Sequence, residues 1–145
     1  MKNNKNIFIL GGDGFCGWPT SLHLSNLGYK IIIIDNLSRR SIDKKLNINS
    51  LTPIKSIKKR IETWNNLTNS HPISFYKLDI SKDYLKLKEL LSKYKPKTVV
   101  HFAEQRAAPY SMKNEFTKMY TVNNNINATH NVLCAINELN LDIHL

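Results

Sequence analysis

Short apolar runs alternate along the chain with longer stretches whose apolar positions recur every three or four residues. Ile7 to Leu10 is continuous and stopped by glycines, the pattern of a strand buried on both faces. Phe15 to Leu27 then predicts a helix, with Gly28 as its stop. Lys30 to Ile34 is β-branched and too short for a helix, so it predicts a second buried strand ending at Asp35-Asn36. Leu37 to Thr52 is polar, with few periodic positions, and predicts a loop. Pro53 stands where a helix begins, and Ile54, Ile57, Ile61, Trp64 and Leu67 follow at spacings of three and four. Residues 37–68 are therefore expected to form an inserted loop and helix. Ile73 to Leu78 predicts a third strand and Thr98 to Ala103 a fourth. Between them Tyr84, Leu87, Leu91 and Tyr94 mark one helix face. Val122, Ile126, Leu133 and Ile136 mark a long last helix, and Asp142 to Leu145 opens a fifth strand.

Strands alternating with helices predict an α/β fold, a doubly wound parallel sheet with helices on both faces. The 145 residues hold one domain, 1–145, expected to be incomplete at its carboxyl end. Hydrophobic residues at 41% are too many for a disordered chain, and the longest apolar run falls far short of a membrane span. The short polar start, Met1 to Asn6, resembles neither a signal nor a transit peptide. Two cysteines, Cys16 and Cys134, make no disulfide framework, and no Cys/His spacing suits a metal. A cytoplasmic protein without metal is expected.

The formal charge of +10 changes the picture less than its size suggests. It permits an anionic partner such as nucleic acid, a lipid surface or a phosphorylated small molecule. Yet 17 of the 21 basic residues are Lys, and Asn and Ile are also abundant, a mixture that a low-GC genome produces with no partner at all. Lys55, Lys58, Lys59 and Arg60 read as a solvated helix face, with nucleic acid the lesser reading.

Chemistry concentrates after the first strand. Gly11-Gly12-Asp13-Gly14-Phe15-Cys16-Gly17 carries glycines at 11, 14 and 17 and opens directly into a helix. A pyrophosphate must approach backbone N–H groups at the positive end of a helix, and a Cβ at those points holds it off. A glycine triplet alone is weak evidence, but here a strand precedes it, a helix follows, and Asp35 closes the next strand. This is the Rossmann-type pattern. A carboxylate at Asp35 accepts hydrogen bonds from the adenosine ribose and repels the extra phosphate of NADP, which favours NAD. Arg39 and Arg40 leave alternatives open: they pair with that phosphate, touch the adenine or a substrate pyrophosphate, or stay solvated.

Together with Asp79-Ile80 after the third strand and His101-Phe102-Ala103 at the end of the fourth, these residues resemble the extended short-chain dehydrogenase/reductases that act on nucleotide sugars. The resemblance is stronger to the UDP-sulfoquinovose synthase branch. It rests on the loop with Trp18 after it, Asp35-Asn36-Leu37 followed by Arg39-Arg40, Ser50-Leu51-Thr52-Pro53-Ile54, and Glu104-Gln105-Arg106-Ala107-Ala108-Pro109-Tyr110-Ser111-Met112. It implies an NAD-dependent enzyme that oxidises UDP-glucose at C4, eliminates water across C5 and C6, adds sulfite and returns the hydride for sulfolipid head groups; the alternatives are another NAD-dependent UDP-sugar epimerase or dehydratase, or a non-catalytic dinucleotide- or nucleic-acid-binding module. Carried over, Gly11, Gly14, Phe15, Cys16 and Gly17 face the pyrophosphate. Asp35, Asn36, Leu37, Ser38, Arg39 and Arg40 surround the adenosine, Asp79 and Ile80 flank the adenine, and Phe102 and Ala103 line the nicotinamide side. Asn124 contacts the ribose region, while Gln105 and Arg106 meet sulfite or sugar, since a bidentate guanidinium suits an oxyanion.

The same resemblance puts a Tyr-x-x-x-Lys proton-transfer pair after the fifth strand, so no catalytic residue is expected within residues 1–145, nor turnover from this chain alone. A homodimer is expected of the complete enzyme. Tyr84 and Lys88 have that spacing but lie on the wrong helix, and read as core-facing and solvated. Tyr110 and Lys113 are one residue too close. Cys16 reads as packed, His101 as packed or hydrogen-bonded. Pro19 costs a helical hydrogen bond only if it lies beyond the first turn.

Overall fold

The computed structural model describes residues 5–67, 71–106 and 108–145. Ala107 of the Glu-Gln-Arg segment and Met1 to Asn4 of the polar start lie outside them. Strand β1 (Asn6–Leu10) is followed by helix α1 (Gly17–Asn26), β2 (Lys30–Asp35), α2 (Ser38–Lys45) and α3 (Ile57–Leu67). Then come β3 (Ile73–Lys77), α4 (Tyr84–Tyr94), β4 (Thr98–His101), a single 3-10 turn at Tyr110–Met112 and α5 (Glu115–Glu138).

The four strands form one parallel sheet in the order β3-β2-β1-β4. Because side chains alternate across a strand, Phe8, Leu10, Ile32 and Ile34 share one face. They pack with Leu87, Leu90 and Leu91 of α4 and Ala128, Val132 and Ala135 of α5. Ile7, Ile9, Ile31 and Ile33 share the other face with Ile57 and Ile61 of α3 and with Trp18 and Leu22 of α1. Both faces are covered, which is why the β1 and β2 runs are continuously apolar rather than alternating. The chain runs from β1 to one side through β2 and β3, then returns to β4 on the other side. The ends of β1 and β4 thus flank a topological switch point, where such sheets bind ligands.

Several elements depart from the sequence pattern. Residues 38–45 form a helix with no buried residue where a loop was expected. It is started by an Asn36 side chain that accepts from the Ser38 N–H (2.8 Å), and Lys44 and Lys45 suit the negative end of its dipole. The next helix begins at Ile57, not at Pro53: the Ser56 hydroxyl accepts from the Lys59 N–H (3.3 Å), leaving Ile54 exposed ahead of it. Val122, Ile126 and Leu133 of α5 are exposed, and Ala128, Val132 and Ala135 take the core side, packed with Leu87, Leu90 and Leu91 of α4. An Asn114–Thr117 capping box starts that helix. Pro19 is the third residue of α1, inside the first turn, where it removes no essential hydrogen bond. The expected fifth strand is one parallel bridge, Thr98 with His144.

Ile32→Ala, at a fully buried position between β1 and β3, is expected to cost about 2–5 kcal/mol. Leu133→Ala, half exposed on α5, is expected to stay within about 0.5 kcal/mol. Urea unfolding of the two variants checks the assignment of faces.

Candidate functional site

At the switch point a cleft of about 430 Å³ opens between the glycine loop, the end of β2, α2 and the segment after β4. The loop is held from below. Gly11 has φ +80°, and a Cβ there would lie 2.6 Å from the Phe102 carbonyl carbon; one on Gly17 would lie 2.3 Å from the Gly11 oxygen. Only glycine lets these backbones touch, and the contact presents the start of α1 to the cleft. Gly14, Phe15 and Cys16 line that edge. Cys16 is exposed rather than packed, since it sits at the N-cap with its side chain outside both cores.

Asp35 ends β2 on the cleft wall. One carboxylate oxygen accepts from the Leu37 N–H (2.7 Å) and the other from the Asp13 N–H (2.9 Å). Two of roughly four lone-pair sites are thereby used, and the others remain for ligand hydroxyls. Burial pushes the Asp35 carboxyl above its ordinary value, opposed by those two N–H groups and by Arg40.

Every cofactor or substrate position expected from the sequence lines this cleft except two. The lining includes Gly11, Gly17, Asn36, Ser38, Arg39, Asp79, Ile80, Phe102, Ala103, Asn124, Gln105 and Arg106. Leu37 instead packs on the α1/α3 side of the sheet, in a left-handed conformation (φ 60°) that turns its side chain away. Arg40 turns back beneath the loop, where its Nε donates to the Asp13 carboxylate (2.6 Å). Arg60 of α3 donates to the other Asp13 oxygen and stacks over Trp18 (4.5 Å), so it leaves the solvated basic face to which the sequence assigned it. Asp13 is 5% exposed. Sequence reading passed over it because a polar residue in a glycine loop looks like turn chemistry; its partners lie 27 and 47 residues away.

Asn125 was also missed. Its side-chain amide accepts from the Gln105 N–H (2.8 Å) and donates to the Gln105 carbonyl (3.1 Å), holding the segment after β4 in place from α5. The run of asparagines at 123–125 was the available signal. Lys88 is bound to Glu138 (2.6 Å) rather than merely solvated, and Tyr84 packs on the α4/α5 core; neither lines the cleft. No cluster of metal-ligating side chains occurs among the described residues, and no helix among them is long and apolar enough to cross a membrane.

Residues 8–144 match the GDP-mannose 4,6 dehydratase family. The chain belongs to that family. Within the GDP-mannose 4,6 dehydratase family, the chain is 48% identical over 144 residues to the chloroplastic UDP-sulfoquinovose synthase of Spinacia oleracea. That match covers 99% of this chain and 30% of the relative. It is 40% identical over 142 residues to the UDP-sulfoquinovose synthase of Sulfolobus acidocaldarius, covering 96% and 35%. Among solved structures, UDP-glucose 4-epimerase from Brucella ovis in complex with NAD superposes with a TM-score of 0.65 at 25% identity. That superposition covers 93% of this chain and 33% of the epimerase. The chain thus spans about a third of the length of these relatives.

His101 ends β4 on the cleft wall, as a hydrogen-bonded residue: its Nδ1 accepts from the Ala103 N–H (3.2 Å). Burial holds the imidazole below its ordinary 6.5, against the opposing charge of Glu104. The unfolded chain therefore takes up this proton first as pH falls. The contribution to stability is complete above about pH 6.5 and is lost as pH drops through the folded value. His101→Gln is expected to flatten the wild-type decline in stability below pH 6.5, read by urea unfolding across pH 5–8.

Proposed function

We propose that this chain forms the NAD-holding part of an enzyme that converts UDP-glucose and sulfite to UDP-sulfoquinovose. The observation that carries the reading is that the glycine loop, the Asp35 carboxylate and the Phe102–Arg106 segment share one cleft at the switch point. The residues fit a dinucleotide. The α1 start offers N–H groups to a pyrophosphate, and a Cβ on Gly14 would crowd the Gly11 oxygen (3.1 Å), so glycine there keeps the loop tight. Asp35 keeps acceptor capacity for ribose hydroxyls, and Leu78, Asp79 and Ile80 offer a partly apolar wall for adenine. The bound cofactor supplies hydride acceptance and return at the sugar. The chain's own part is positioning: Asn125 fixes Gln105, and the exposed Arg106 beside it presents a planar fork to sulfite or a sugar hydroxyl pair.

The identities of 48% and 40% support the choice of a sulfosugar product over a simple epimerisation. Two free cysteines suit a reducing compartment such as the cytoplasm. Exposed Phe116, Met119, Val122, Ile126 and Leu133 form an apolar stripe along α5 that supports self-association of the complete enzyme.

Calorimetry with NAD, NADP and UDP-glucose tests the reading. NAD is expected to bind more tightly than NADP, and Asp35→Ala to weaken NAD by about 1–3 kcal/mol by leaving hydroxyl donors without their acceptor. Equal or tighter NADP binding contradicts the assignment of Asp35.

A further inference from the structure

A second carboxylate stands behind Asp35. Asp13 is buried in the glycine loop, its N–H is bound to Asp35 (2.9 Å), and its side chain holds both Arg40 and Arg60. Arg40 also donates through Nη2 to the Asp13 carbonyl (3.3 Å), so its guanidinium is engaged at two points. Arg40 lies in the first turn of α2, close enough for its charge to act on Asp35, the group read here as the ribose acceptor. A guanidinium at such a place is the usual partner of a 2′-phosphate. Here it faces inward, and its charge is met by Asp13.

We propose that Asp13 biases the choice of nucleotide by holding Arg40 beneath the loop, so that of Arg39 and Arg40 only Arg39, turned toward Asp43 (4.0 Å), remains on the cleft wall. The inference rests on the reading of the cleft as a dinucleotide site. Asp13, Asp35, Arg40 and Arg60 together sum to zero formal charge: two carboxylates against two guanidiniums. Replacing Asp13 by Asn keeps its size and leaves one net positive charge, with Arg40 no longer bound to a carboxylate. A phosphate of charge about −1.5 to −2 is then attracted, whereas the uncharged hydroxyl of NAD gains nothing comparable. Arg60 does not substitute for Arg40, because it remains beneath the loop over Trp18.

The test is titration of the full chain and its variants with NAD and with NADP. Asp13→Asn is expected to raise the ratio of NADP to NAD affinity by about tenfold or more, the scale of one charge-assisted pair. The double variant Asp13→Asn/Arg40→Ala is expected to return the ratio to near its wild-type value, which a general loosening of the loop does not do. Arg40→Ala alone keeps Arg60 on the buried carboxylate, so it tests the same point even if Asp13→Asn fails to fold. It leaves one net negative charge in the cluster, so it is expected to lower the ratio, the direction opposite to Asp13→Asn. A raised ratio in Arg40→Ala, or an unchanged ratio in a folded Asp13→Asn, overturns the role of Asp13 while leaving the NAD site intact. Binding of neither nucleotide by the wild type overturns both readings.

Discussion

The hydrogen bond from the Asp13 N–H to the Asp35 carboxylate joins the loop after β1 to the end of β2, and the arrangement of the cleft depends on it. Asp35 is fixed in turn by the Leu37 N–H, which positions the chain to enter α2. The Asp13 side chain reaches the other way, to Arg40 and Arg60, so α2 and α3 are both tied to the glycine loop. A buried carboxylate left without its partners is expensive, on the order of 3–5 kcal/mol. The inserted helices are therefore fastened to the ligand loop rather than simply appended to the sheet.

Around that junction the cleft is built by close backbone contact. Gly11 touches the chain leaving β4, and Gly17 touches Gly11, so the loop, α1 and the Phe102–Arg106 segment cannot move independently. On the far side Asn125 pairs with the backbone of Gln105 as a neighbouring strand would, extending order past the end of β4 without a further ladder. The polar groups that face a ligand are thus set by elements on both sides of the sheet.

The parallel sheet was legible because β1 and β2 are buried on both faces, and a run such as Ile31–Ile34 suits little else. The glycine loop and Asp35 were legible for a related reason: a backbone that must approach a phosphate excludes other residue types. What escaped the sequence is what long-range contacts decide. Ser38–Lys45 has no buried face, and its helix is anchored by Asn36 and by the Arg40–Asp13 pair. Arg60 looks like one cation among several until α3 is docked, when it alone of the Lys55–Arg60 group reaches Asp13. The apolar spacing at Val122, Ile126 and Leu133 reports a helix correctly but not which side of it faces the core.

The proposed dinucleotide lies in the cleft between the glycine loop and the segment after β4. Backbone amide resonances of the isotopically labelled chain, followed during titration with NAD, test this placement most directly. Saturable shifts are expected at Gly11, Gly14, Cys16, Asp35 and Gln105, with Lys59 and Thr63 on α3 unmoved. Shifts confined to the basic face of α3, or none at the glycine loop, would contradict it.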